Sequence, residues 1–201
     1  MIKYLINKFL IYRQAYFKKI NKNFYSQFGE DKTLFEIIPK NFSKGFYVDV
    51  GCFHPKKYSN TYMLHKRGWY GINIDMEDDK ISTFNLARPN DFNYLGAISD
   101  KVENVKIFRN QKFGVSSTIN EDIIKKVDII DEILIETKTL NNVLELSPFK
   151  NNEIDLLNID TEGNDFKVLK SLNFEIYNPK IIIIETHLKN IHEIILSDQY
   201  K

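Results

Sequence analysis

FYVDVGCFHPKKYSNTYMLHKRGWYGINID, running from Phe46 to Asp75, holds two short apolar runs, each with an acid at its carboxyl end. Phe46–Val50 carries Asp49 and stops at Gly51; Tyr70–Ile74 stops at Asp75. Between them lie a polar loop and a segment, Ser59–Arg67, whose apolar residues have helical spacing. Strand, helix and strand at this length form a βαβ unit, the opening of an α/β sheet that binds ligands beyond the carboxyl ends of its strands. Yet the first turn reads Gly51-Cys52-Phe53-His54-Pro55. It lacks the G-x-G-x-x-G spacing that sets helix amides against a pyrophosphate, which disfavours a nicotinamide dinucleotide.

The alternation continues down the chain. Phe92–Ile98, Ile154–Ile159 and Lys180–Ile184 are strand-like, and Asp78–Ala87, Asn164–Leu172 and Leu188–Leu196 are helix-like. Runs such as IDLLNI and KIIIIE are apolar at consecutive positions, as parallel strands covered on both faces require. The expected fold is α/β, an open and mostly parallel sheet with helices on both faces. Residues 100–150 interrupt the pattern: NVKIFRN and FGVSSTI suit a hairpin, and DEILIETKTL is extended. This insertion either caps the active site or only decorates the domain formed by residues 25–201.

Composition narrows the function. A net charge of +1 over 201 residues excludes a nucleic-acid binder held by bulk electrostatics. The lone Cys52 precludes an intrachain disulfide, fits a reducing cytoplasm and reads as a small buried structural residue. The charge is unevenly spread. Residues 1–24 contain Lys3, Lys8, Arg13, Lys18, Lys19 and Lys22 and no acid, leaving a net −5 for the remainder. Ile2, Leu5, Ile6, Phe9, Tyr16 and Ile20 recur there at roughly helical spacing. This basic amphipathic helix either packs its apolar side on the domain or makes peripheral contact with an anionic membrane. Charges interrupt every apolar run before it reaches the length of a membrane span.

Four predicted strand ends carry acids: Asp49, Asp75, Asp160 with Glu162, and Glu185 followed by His187. Asp75 is placed to accept both hydroxyls of an adenosine ribose, or else to cap the following helix. Gly51 lets the backbone turn tightly against a ligand, and His54 follows that turn into the pocket. Acids without a phosphate cradle suit a cationic nucleoside. S-adenosylmethionine, with its sulfonium and ammonium groups, is such a ligand.

Four blocks in order carry a resemblance: YSQFGEDKTL (25–34), YVDVGCFHPKKYSNTYMLHKRGWYGINID (47–75), LLNIDTEGNDFKVLKSL (156–172) and PKIIIIETH (179–187). Together they resemble the FkbM family of S-adenosylmethionine-dependent methyltransferases, over roughly Tyr25 to His187. The resemblance implies a Rossmann-like class I methyltransferase fold and methylation of a hydroxyl oxygen on a sugar, glycan or similar polyhydroxyl acceptor, which the basic N-terminus suggests is lipid-linked. Carried over by position, Asp49 and Gly51 match the cofactor loop and Asp75 the ribose-binding acid. Gln27 and Asp31 lie in a block that closes over the cofactor, a block that reads equally as a helix cap using Ser26 with Glu30 or Asp31.

An alcohol is a poor nucleophile until its proton leaves. Glu162 or His187 serves as general base, or Asp160, Glu162 and Glu185 bind Mg²⁺ or Mn²⁺ that acidifies the hydroxyl, or the group with Asp160, Glu162, Glu185 and His187 is structural. A class I sheet ends in an antiparallel hairpin. Only 16 residues follow Glu185, so that C-terminal strand hairpin is expected to be missing. Either a partner chain completes the edge in a homo-oligomer, or the chain is an inactive scaffold with a methyltransferase fold.

Overall fold

The computed structural model describes residues 2–17, 23–109, 117–118 and 131–186. The first half of the chain forms α1 (Ile2–Phe17), α2 (Glu30–Ile37), β1 (Phe46–Val50), α3 (Tyr62–Lys66), β2 (Tyr70–Asp75), α4 (Asp78–Ala87) and β3 (Phe92–Leu95). There follow β4 (Ala97–Ile98), β5 (Asn104–Arg109), β6 (Ser117–Thr118), β7 (Asp131–Lys138), α5 (Leu140–Leu146), β8 (Leu156–Ile159), α6 (Asp165–Lys170) and β9 (Ile181–Ile184). The helix expected at 188–196, the C-terminal hairpin question and His187 fall outside the described residues.

β3-β2-β1-β8-β9 make a five-stranded, wholly parallel sheet. Strand order reverses between β1 and β8, so the crevice for ligand opens at their carboxyl tips. One face buries Val48, Val50, Ile72, Ile74, Leu157 and Ile159 beneath α5 and α6, which contribute Leu140, Val143, Leu144 and Val168. On the other face Tyr47 and Leu156 meet Leu34 of α2, Leu64 of α3 and Trp69. Each fully buried aliphatic side chain is worth about 1.5–3 kcal/mol, so these two layers hold the fold.

The second face also carries a polar row. Asn93, Asn73, Asp49 and Asn158 lie side by side in register across β3, β2, β1 and β8. Asn73 Nδ2 donates to Asn93 Oδ1 at 2.8 Å and Asn158 Nδ2 to Asp49 Oδ1 at 2.8 Å. Buried polar groups persist in a core only when paired in this way.

The run Phe92–Ile98, read as one strand, divides at Gly96. Residues 92–95 pair with β2, whereas Ala97 and Ile98 pair with Thr137 and Lys138 of β7 in a separate sheet of order β4-β7-β5-β6. A Cβ at Gly96 would meet the Tyr94 ring at 2.5 Å, so a larger residue at the crossing has to displace that ring. β5 pairs antiparallel with both β6 and β7. Helix α5 was not among the expected helices. Its signal was Thr139, whose hydroxyl accepts from Asn142 N while Asn142 Oδ1 accepts from Thr139 N. At the N-terminus α1 packs on α4, burying Ile11 and Ala15, and Tyr16 Oη donates to Leu86 O at 3.0 Å.

Candidate active site

The turn after β1 shapes the site. Gly51 has φ +82°, and a Cβ there would overlap the Asp160 carbonyl. Glycine therefore lets the tips of β1 and β8 close together. Gly51 N and Cys52 N both donate to Ile74 O, at 2.9 and 3.1 Å, tying the turn to β2 as well. Beside it opens a cavity of about 320 Å³, at the small end of ligand-binding pockets. Gln27, Asp49, Gly51, His54, Asp75, Asp160, Glu162 and Glu185 all line it. The strand-end acids read from the sequence thus converge on one space.

Their roles differ. Asp49 is buried; Thr61 Oγ1 donates to its Oδ2 at 2.7 Å and Asn158 Nδ2 to its Oδ1. Burial raises its pKa, and these donors oppose the rise. Its carboxylate fastens the loop that follows Gly51. Arg88 completes the fastening: its guanidinium, buried, donates to Pro55 O at 2.6 Å, Ser59 Oγ at 3.1 Å and Thr61 Oγ1 at 2.9 Å. His54 links this loop to α1. Its Nε2 lies 2.9 Å from Gln14 O, while Nδ1 accepts from Lys56 N and Lys57 N, which fixes the proton on Nε2.

Asp75 closes β2 with its carboxylate in the cavity wall. Oδ1 accepts from Glu77 N at 2.9 Å, and Lys80 Nζ stands 3.3 Å from Oδ2 and 2.8 Å from Glu77 Oε1. Burial raises Asp75 to about 6 against the pull of Lys80. Burial would lower Lys80, but the two acids outweigh it and the ammonium stays charged.

Asp160 and Glu185 both line the cavity, and each carboxyl acts on the other. Burial and the neighbouring Asp160 charge lift Glu185 to about 8, and burial lifts Asp160 to about 6. Glu162, next on the loop, has φ +52° and Gly163 φ +93°. A left-handed glutamate is strained by on the order of 1–2 kcal/mol. Asp165 holds the strained loop: Oδ1 accepts from Thr161 N at 2.6 Å and Oδ2 from Gly163 N at 3.0 Å.

Two expectations are corrected. Asp31 does not line the cavity: Ser26 Oγ donates to its Oδ1 at 2.7 Å and Tyr25 N to its Oδ2 at 2.8 Å, so it ties the first turn of α2 to the chain that precedes it. Among the described residues no group of three His, Cys, Asp or Glu is arranged to hold a metal ion, so Asp160, Glu162 and Glu185 do not form the expected Mg²⁺ or Mn²⁺ centre. The first turn of α6 is organised by Asp165. Sequence reading missed Asn158, Lys80, Arg88 and Asp165. A lone Asn inside the apolar run LLNI was the available signal for Asn158.

A parallel five-stranded sheet flanked by helices, with acids at its strand tips and a glycine turn at the switch point, is a Rossmann-like methyltransferase fold. Residues 49–197 match the Methyltransferase FkbM domain, and the chain belongs to that family. No curated protein and no solved structure matches the chain.

Proposed function

We infer that the chain is an S-adenosylmethionine-dependent O-methyltransferase acting on a hydroxyl of a sugar, glycan or similar polyhydroxyl molecule. The observation that carries this reading is that Asp160 and Glu185 line the same cavity as Gly51 and Asp75. The cavity walls fit the cofactor: Gly51 leaves the backbone bare, and Asp75 offers each oxygen a further lone pair to a diol. S-adenosylmethionine, when bound, supplies a methyl group already activated by its sulfonium.

The chain's own residues then do three things. Asp75 and the Gly51 turn bind and orient. The Asp160 and Glu185 carboxyls would take up the proton of the acceptor's hydroxyl as the methyl group passes to that oxygen and the donor leaves as a neutral thioether. Phe28, Phe53 and Tyr58 border the cavity with flat apolar faces, and Asn60 and Glu162 add polar groups, a mixture suited to a ring with both C–H faces and hydroxyls.

Calorimetric titration with S-adenosylmethionine, with NAD as control, followed by a radiolabelled-methyl screen of sugar acceptors, tests this. We expect saturable binding of the methyl donor alone. Asp160→Asn and Glu185→Gln are expected to bind it within about threefold of the parent and to lower kcat by ~10²–10⁴-fold, the range of a lost general base. Failure to bind the donor, or full turnover in both variants, would overturn the reading.

A further inference from the structure

The outward side of α1 is covered by no described residue. Ile11 and Ala15 bury the inner side; turned away from them Leu5, Phe9 and Tyr12 recur at i, i+4 and i+7 and are 57%, 63% and 51% exposed, while Tyr16 turns back onto α4 through its hydroxyl. Ile6 and Phe17 widen the row and are 54% and 70% exposed. Single exposed hydrophobics are ordinary on a surface, but a continuous row along one helix marks a contact face. The helix contains no acid, and Lys8 and Arg13 stand exposed beside the row.

We propose that this face of α1 docks on an anionic lipid bilayer, with the helix lying in the plane of the interface. Leu and Phe supply the apolar insertion, Tyr12 the ring-and-hydroxyl character of the headgroup zone, and the bases the attraction to anionic lipid. Charge selects this occupant over a second copy of the chain. Lys8 and Arg13 flank the row and the helix holds no acid, so two such faces brought together repel, whereas an anionic surface complements them. The rest of the chain carries a net −5 and is repelled by the same surface, which leaves the α1 side as the one that approaches. No described helix is long and apolar enough to cross a membrane, so the contact is peripheral.

Flotation of the full chain with phosphatidylcholine vesicles, with and without phosphatidylglycerol, tests the proposal. Binding is expected only to vesicles containing phosphatidylglycerol, and it weakens as salt is raised. Phe9→Glu combined with Tyr12→Glu should abolish it. Lys8→Gln combined with Arg13→Gln should weaken it on the order of thirtyfold. All four side chains are exposed, so the variants keep the parent's melting temperature to within a few degrees. Equal binding to both vesicle types overturns the proposal, as does salt-independent binding. So does a dimer in sedimentation that Phe9→Glu dissolves while vesicles capture nothing. None of these readouts depends on methyl transfer.

Discussion

Asp75 and Asp31 show how two buried acids of the same type take different work. Both are nearly inaccessible, and both carboxylates accept backbone hydrogen bonds. Asp31 spends its two oxygens on Ser26 and Tyr25 N, away from the cavity, while Asp75 faces it. Asp75→Ala is therefore expected to weaken S-adenosylmethionine binding by about 1.5–3 kcal/mol, the scale of hydrogen bonds to a charged group, whereas Asp31→Ala should cost stability instead. Calorimetry on both variants separates them; equal losses of affinity would sink the distinction. The sequence showed Asp75 plainly because strand ends in a parallel sheet point at ligand. It left Asp31 ambiguous because a carboxylate that braces a helix start and one that binds ligand have the same chemistry, and only the placement of the Ser26 hydroxyl separates them.

Among the elements, the loop from Gly51 to Thr61 is built by contacts distant in sequence. Arg88, at the C-terminal end of α4, reaches Pro55, Ser59 and Thr61 in the loop. Arg88→Met removes the donor and strands several buried acceptors. The cost is expected at about 3 kcal/mol or more, read as a lower urea midpoint, with a weaker affinity for the methyl donor alongside it. A midpoint within experimental error of the parent would show that the loop stands without the guanidinium. Nothing in the local sequence around Arg88 announces this role, because a basic residue after a helix reads as surface until the fold carries it into the interior. β1, β2 and α4 were legible for the opposite reason: their patterns are local and their apolar spacing repeats. The strand expected across Phe92–Ile98 was misjudged at Gly96, where one extended run serves two sheets.

For the whole molecule, four raised carboxyl pKa values make stability depend on pH, that of the buried Asp49 among them. Asp75 and Asp160 move up to about 6 and Glu185 to about 8, from ordinary values near 4. The folded chain thus binds more protons than the unfolded chain over that interval, and unfolding becomes easier as pH rises through it. Without ligand, the urea midpoint is expected to fall between about pH 4 and pH 8, and the double variant Asp160→Asn/Glu185→Gln should fall less. A midpoint that climbs steadily across the same range would contradict this.

The row Asn93, Asn73, Asp49 and Asn158 has a consequence for how the chain finds its fold. β8 and β9 are almost uniformly aliphatic, so hydrocarbon packing scarcely distinguishes one alignment of these strands from its neighbours. Sliding β8 one residue along β1 would set Leu157 or Ile159 opposite Asp49 and leave a buried carboxylate without its amide, a loss of several kcal/mol. The amides therefore act as a proofreading key. Misaligned sheets are rejected during folding by the same carboxylate that later braces the ligand loop, so a chain that has assembled its core has already aligned the strand tips from which its chemistry is built.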